Sequence, residues 1–294
     1  MKSTNPLRRW LSVVEILAVL AVLGAGTVAR AQFGDLLRRT KEKTDKAQKI
    51  QKALSPMTVE EERDVGREVA AKLVAHFHLY KNDGLTRYVN LVGGTVAAQS
   101  ERQDSGYHFA VLDSDTINAF SAPGGYIFIT RGALHLCEDE SELAGVLAHE
   151  VGHVAGKHVI HIVEHDKVLR AGMDEANARM PGSEYMKKMT QGILVKIIDQ
   201  GLAPGDEFDA DQRGMKYAHA AGYPADGLPR FLTRLDQATE QGGQSFWTRT
   251  HPPVKDRNQK MQQSISAQHW EDADRPKLAN RFAIVAKTLK GKKS

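Results

Sequence analysis

A mainly helical α+β fold is predicted by three features of the 294-residue sequence. Apolar residues recur at helical spacing through several segments, whereas only two short runs, Tyr107 to Leu112 and Tyr126 to Thr130, are β-rich. The third feature is a stretch from Leu143 to Gly156 that is apolar nearly all round, and a helix of that kind is buried. These features predict a small β-sheet beside a central helix.

Arg8 and Arg9 precede a largely apolar run from Leu11 to Val28 that closes on Ala29-Arg30-Ala31, which reads as a cleaved signal peptide over residues 1–31. The competing reading is an inner-membrane anchor formed by residues 11–29. Glu15 interrupts that run and leaves 14 uncharged residues from Ile16 to Ala29, short of the roughly 20 needed to span a bilayer. The expected location is therefore periplasmic or secreted, with the mature chain starting at Gln32.

Residues 32–57 are rich in Lys, Arg, Asp and Gln and read as a charged leader, either a solvated helix or a flexible linker. A folded domain is expected over residues 58–275. It opens with Val65, Val69, Leu73 and Phe77 at four-residue intervals behind a Glu-rich first turn. A second helix is expected from about Leu85 to Gln99. The two β-rich runs follow, separated by a loop that contains Pro123-Gly124-Gly125. Residues 276–294 read as a basic tail ending in Lys290, Lys292 and Lys293. No internal repeat is apparent.

Lys and Arg exceed Asp and Glu by four, but three of those charges fall within residues 1–31, so no general affinity for nucleic acid follows. Peripheral contact with a membrane and the oligomeric state stay open. The single Cys137 excludes an intramolecular disulfide and a cysteine-built zinc site, leaving His and carboxylate as metal donors.

Asp139 followed by Glu142 is an N-cap signal, and the residues through His165 suit one long helix. Between Leu143 and Gly156 its only ionisable side chains are His149, Glu150 and His153. Buried charges need a partner, and a bound cation supplies one. His149 and His153, four apart, project from one helix face toward a single ion, with Glu150 about 100° away. This is the H-E-x-x-H arrangement. Two histidines do not complete a catalytic zinc site, which usually takes three protein ligands. The metzincin extension would need His at 159, which is Val159; His158, His161 and His165 read instead as polar positions on exposed later turns. A second helix from Asp206 to Ala221 carries Glu207 and Asp211 on one face. Glu207 can reach the metal, and Asp211, one turn deeper, can accept a hydrogen bond from a ligand imidazole. Asp209 points about 200° round that helix, the other way.

Four segments, ELAGVLAHEVGHVAGKH (142–158), EFDADQRGMKYAHAAGYPADG (207–227), NAFSAPGGYIFITRGAL (118–134) and THPPVKDR (250–257), resemble the gluzincin zinc metallopeptidases of the CaaX prenyl endopeptidase, HtpX and BepA type. With GREVAA at 66–71 the resemblance covers most of residues 58–260. It implies a zincin-like fold and one Zn(2+) per chain held by His149, His153 and Glu207, with Glu150 as general base. It also brings His251 and Arg257 near the metal as electrophiles for the oxyanion; Tyr223 is a weaker candidate. A strand beside the catalytic helix would pair with extended substrate, a part assigned to Tyr126, Ile127 and Phe128, with Asn118 and Phe120 shaping the same edge. The chain resembles the soluble periplasmic branch without its helical-repeat domain. The implied activity is endopeptidase cleavage of unfolded or misassembled envelope proteins. A zinc-stabilised chaperone that holds clients without cutting them is the alternative, which an intact Glu150 disfavours. Between the two proposed ligand helices, residues 166–205 include Met186, Met189, Ile193 and Ile197 at helical spacing, a segment that either completes the core or covers the site as a lid.

Overall fold

The computed structural model describes residues 35–48, 51, 54–172, 182–240, 251, 253–271 and 274–289. The predicted signal peptide lies outside them. The chain divides into two compact units, residues 1–55 with 167–178 and residues 56–166 with 179–294. Within the first, residues 35–48 form an exposed helix whose Arg38 and Arg39 each lie 2.9 Å from Asp35, pairs at three- and four-residue spacing on a solvated surface.

The second unit begins with α1 (Val59–Phe77), started by a capping box in which Thr58 Oγ1 accepts from Glu61 N–H and Glu61 Oε2 accepts from Thr58 N–H. Its buried face carries Val65, Val69, Leu73 and Phe77, the spacing that predicts it. Helix α2 (Asp83–Ala97) is capped by Asn82, whose Oδ1 accepts from Leu85 N–H.

Three strands follow: β1 (His108–Leu112), β2 (Ala119–Ala122) and β3 (Tyr126–Thr130). The sheet order is β1-β3-β2, with β1 parallel and β2 antiparallel to β3. Alternate residues of β3 serve different cores, because successive side chains point to opposite faces. Ile127 and Ile129 join the cluster built on α2 and the central helix, while Phe128 joins the cluster built on α1. The turn between β2 and β3 needs its glycines, since Gly124 has φ +71° and Gly125 φ +83°.

After the short α3 (Arg131–Leu136), α4 (Glu140–Ala155) runs through the interior of the second unit with all its residues buried. Asp139 caps it, its Oδ1 accepting from Glu142 N–H at 3.0 Å. One long helix through His165 is not what forms. Lys157, at φ +57°, turns the chain, and α5 (His158–Gly172) starts in a new direction. A residue with a side chain rarely adopts that conformation, so the break is strongly specified by its surroundings.

Helix α6 (Gly182–Val195) buries Met189, Ile193 and Leu194 in the α1 cluster and ends in a π-turn, Lys196–Gln200. Helix α7 (Pro204–Ala220) then crosses α4 closely. A Cβ on Gly214 would lie 2.8 Å from His149 N, and one on Gly152 would lie 2.8 Å from Ala210 O. Glycine at both positions lets the two backbones touch, which brings acidic side chains of α7 to the histidines of α4. Helices α8 (Gly227–Glu240) and α9 (Val254–Ala267) close the far side. On α8, Arg230 and Arg234 reach back to Asp139 and Glu142 at the start of α4, with closest distances of 2.7 and 2.6 Å.

The expected tail over residues 276–294 is, through Leu289, part of the fold. Helix α10 (Ala279–Ala286) and the turn after it bury Phe282 and Leu289 in the main core, and Arg281 pairs with Glu140. Two apolar anchors among basic residues outweigh the solubility that the composition suggests.

Candidate metal centre

The first turn of α7 faces the third turn of α4, and the two helices together present a compact set of donors. His149 Nε2 and His153 Nε2 are 3.0 Å apart, and Glu207 approaches them at 3.6 and 3.5 Å. Metal–ligand bonds of about 2.0–2.1 Å to nitrogen or oxygen give tetrahedral edges of about 3.3–3.4 Å, so these three side chains fit a tetrahedral ion. His251 adds a fourth donor atom, its Nε2 lying 3.5 Å from Glu207 Oε2, and all four ligand atoms fall within 4.8 Å of one another. His149, His153 and Glu207 are at most 3% exposed. Glu150 is equally buried, and its Oε1 has no hydrogen-bond partner among the described residues. Buried polar atoms are almost always satisfied, and an acceptor left over beside a metal-shaped donor set suits a water or ion between them.

Behind the donors, His149 Nδ1 donates to Asp211 Oδ1 at 3.0 Å. Arg257 lies entirely buried against the same carboxylate, with Nε 2.9 Å from Oδ2 and Nη2 2.6 Å from Oδ1. The guanidinium therefore engages Asp211 with a fork of two hydrogen bonds, and its Nη1 is 3.9 Å from Glu207 Oε2. That geometry makes Arg257 a support for Asp211. Tyr223 sits elsewhere, donating to Glu140 Oε1 at 2.7 Å near the start of α4, so it does not face the donor set.

The electrostatics follow from burial and these pairs. Burial alone would lower His149, but hydrogen bonds to Asp211 and Glu207 raise it to about 9 in the metal-free chain. Burial, reinforced by the neighbouring His149, holds His153 well below the usual histidine range, and burial lowers His251 to about 4. Glu150 rises to about 7, chiefly through burial, with nearby Glu207 adding to the shift. Burial would raise Asp211 as well, but the charge and hydrogen bonds of Arg257 prevail and hold it well below the carboxylate range.

The expected substrate strand is corrected by the sheet order. β3, with Tyr126, Ile127 and Phe128, is the central strand, and both of its edges are already paired, so it has no free backbone to offer. The edge strands are β1 and β2, and β2 is the one at the donors. Its Ala119, Phe120 and Ser121 line a cleft of about 30 Å3 with Glu150, His153 and Glu207. Asn118, fully buried, begins this edge, its N–H donating to Thr130 Oγ1. Ile197, Gly201 and Leu202 from the segment before α7 form the cleft's other wall.

His158 is not on an exposed turn as expected. This residue is buried at 4% exposure and packed behind His153, whereas His161 and His165 are exposed. The available signal is Gly156, since a glycine followed by Lys157 marks the point where a helical register ends. Asp209, two residues from each of the acids expected at the metal, receives His158 from the other face of α7.

Among the described residues no helix is long and apolar enough to cross a membrane. Residues 83–265, well over half of the chain, match the model of "Peptidase family M48". The chain is 26% identical over 216 residues to a beta-barrel assembly-enhancing protease of Yersinia pestis, covering 67% of this chain and 42% of that protein. To the protein of the same name in Escherichia coli strain K12 it is 24% identical over 211 residues, with the same coverage. To mitochondrial metalloendopeptidase OMA1 of Schizosaccharomyces pombe it is 26% identical over 204 residues, covering 68% of this chain and 58% of that one. The chain thus spans less than two thirds of the length of each of these relatives. The family match runs through both helices of the His and Glu donor set, and the chain belongs to peptidase family M48.

Proposed function

We propose that the chain is a zinc-dependent endopeptidase that cleaves unfolded or misassembled proteins of the cell envelope, in the periplasm or outside the cell. The observation that carries this reading is the donor set of His149, His153 and Glu207, with edges of 3.0–3.6 Å and Glu150 beside it. One zinc ion would be held by those three side chains, with Asp211 fixing the His149 tautomer and Arg257 fixing Asp211. Bound there, zinc supplies a Lewis acid that lowers the pKa of water from about 15.7 to roughly 7 and polarises a peptide carbonyl.

Glu150, raised to about 7 in the metal-free chain, is suited to take a proton from the attacking water and return it to the leaving amine. His251, kept neutral by burial, can donate a hydrogen bond where negative charge develops on the carbonyl oxygen. Extended substrate would add to the outer edge of β2 beside Asn118 and Phe120, a mode that reads backbone and favours unfolded chains. Support for an envelope client comes from the predicted export signal and from relatives named beta-barrel assembly-enhancing protease.

The test is degradation of unfolded casein by the purified mature chain, with and without EDTA. Metal-dependent cleavage supports the peptidase reading; zinc binding without cleavage favours the holding chaperone. Mass spectrometry of envelope proteins trapped by Glu150→Gln would identify the clients.

A further inference from the structure

A chain of hydrogen bonds leads from His153 away from the donor set. His153 Nδ1 and His158 Nδ1 are 2.9 Å apart, and His158 Nε2 is 3.1 Å from Asp209 Oδ2. Asp209 also accepts from Arg213 Nε at 2.5 Å. Arg213 in turn pairs with Glu101, to which Tyr217 donates. The backbone makes room for this arrangement. Lys157 turns the chain at φ +57°, and a Cβ on Gly156 would collide with the His158 ring and lie 2.9 Å from Asp209 Oδ2.

Only one proton fits between two ring nitrogens 2.9 Å apart, and the rest of the chain decides which ring carries it. If His153 bears its proton on Nδ1, it donates to His158 Nδ1, and the His158 proton sits on Nε2 and is donated to Asp209. Every donor then meets an acceptor, and His153 Nε2 turns a lone pair toward His149 and Glu207. The opposite assignment puts the His153 proton on Nε2, among the donor atoms, and sets a His158 lone pair against the Asp209 carboxylate. That arrangement is repulsive at its outer end and closed to a metal at its inner end.

We infer that His158 and Asp209 are positioning residues that lock His153 in the tautomer able to bind a metal through Nε2. The inference rests on the metal-site reading of His149, His153 and Glu207. It gives each histidine ligand an acidic anchor: Asp211 directly for His149, and Asp209 through His158 for His153. Partners of this kind are worth about 10- to 100-fold in metal affinity.

The test compares His158→Leu, which removes both hydrogen bonds, with His158→Gln, whose amide can accept from His153 and donate to Asp209. Zinc affinity is measured by competition with a chromophoric chelator, thermal stability is measured on the metal-free proteins, and the His153 tautomer is read from its ring 15N shifts in the metal-free state. His158→Leu is expected to lose about 10- to 100-fold in zinc affinity and the Nδ1–H signature, with His158→Gln restoring most of both. Should His158→Leu not fold, Asp209→Ala serves in its place, since Asp209 is 42% exposed in its side chain, and a severalfold loss of affinity is expected. Parent-like affinity and an unchanged tautomer in His158→Leu, whatever its melting temperature, overturn the inference and leave the metal site standing. A parent chain that binds no zinc overturns the metal site and the inference with it.

Discussion

At the scale of single residues, Glu150 offers the sharpest separation of metal binding from chemistry. Gln keeps its shape and removes only its ability to accept a proton, so Glu150→Gln is expected to bind zinc as the parent does and to lose about 10²- to 10⁴-fold in casein hydrolysis. The same substitution has a second consequence in the metal-free protein. Folded Glu150 keeps its proton up to about pH 7, whereas the unfolded chain releases it near 4.5. Between those values the folded state binds more protons, so this residue makes stability fall as pH rises. At about 1.4 kcal/mol per pKa unit, metal-free Glu150→Gln should exceed the parent by about 3 kcal/mol above pH 7, with no difference below pH 4.5. Urea unfolding in EDTA at pH 8 and pH 4 checks this, and an equal advantage at both values would contradict it. His149, Glu150 and His153 are legible in sequence because a helix maps four-residue spacing onto one face, and Glu207 and Asp211 repeat that pattern on α7. The engagement of Asp211 by Arg257 is not, because those residues are 46 apart in sequence and meet only through the packing of α9 on α7.

At the scale of elements, the site depends on how closely α4 and α7 cross. Gly214→Ala would force a methyl group against the His149 backbone, so the helices must separate by a fraction of an ångström and take Glu207 with them. The expected result is a loss of about 1–3 kcal/mol in stability, the usual cost of overpacking, together with weaker zinc binding; the parent's chelator-competition curve would refute it. Met189 and Ile193 of α6 belong to the α1 cluster, and Ile197, in the turn after α6, belongs to it too while lining the cleft with Gly201 and Leu202. Those three residues line the same cleft as Glu150, His153 and Glu207, so loosening that wall would widen the way to the donors. Gly substitutions at Ile197 and Ile198 are therefore expected to raise casein turnover with zinc retained. If they only lower the melting temperature, the wall is core and not a lid. The sequence pattern reveals that α6 is amphipathic, but not that the turn after it lines the cleft. Strand order was equally hidden: β3 is legible from its own residues, but its central place follows from β2, four residues with no alternation to mark them.

For the whole molecule, the buried central helix sets the terms on which distant parts of the chain cooperate. Its outer end carries Glu140, a fully buried carboxylate that accepts from Tyr88 at 2.6 Å and Tyr223 at 2.7 Å and is paired with Arg281 of α10. Burial would raise Glu140, but those hydrogen bonds, Arg281 first among them, lower it below the carboxylate range. The folded state thus keeps a charge in its interior on the strength of a partner more than 100 residues away, on a segment whose composition suggests a solvated tail. Removing residues 276–294 would take away Arg281 and expose the surface that Phe282 and Leu289 cover. Loss of one charged hydrogen-bonding partner costs about 1.5–3 kcal/mol, and loss of a buried Phe adds about 1.5–3 kcal/mol. The truncated chain is therefore expected to unfold about 3–6 kcal/mol more easily. Its zinc affinity should stay within a fewfold of the parent, because the donors lie toward the opposite end of α4 and are anchored by α7 and α9. Arg281→Ala alone should account for about half of the loss. Denaturant unfolding of the parent, Arg281→Ala and the truncated chain decides it: equal midpoints for all three would mean that α10 rests on the core without contributing to it.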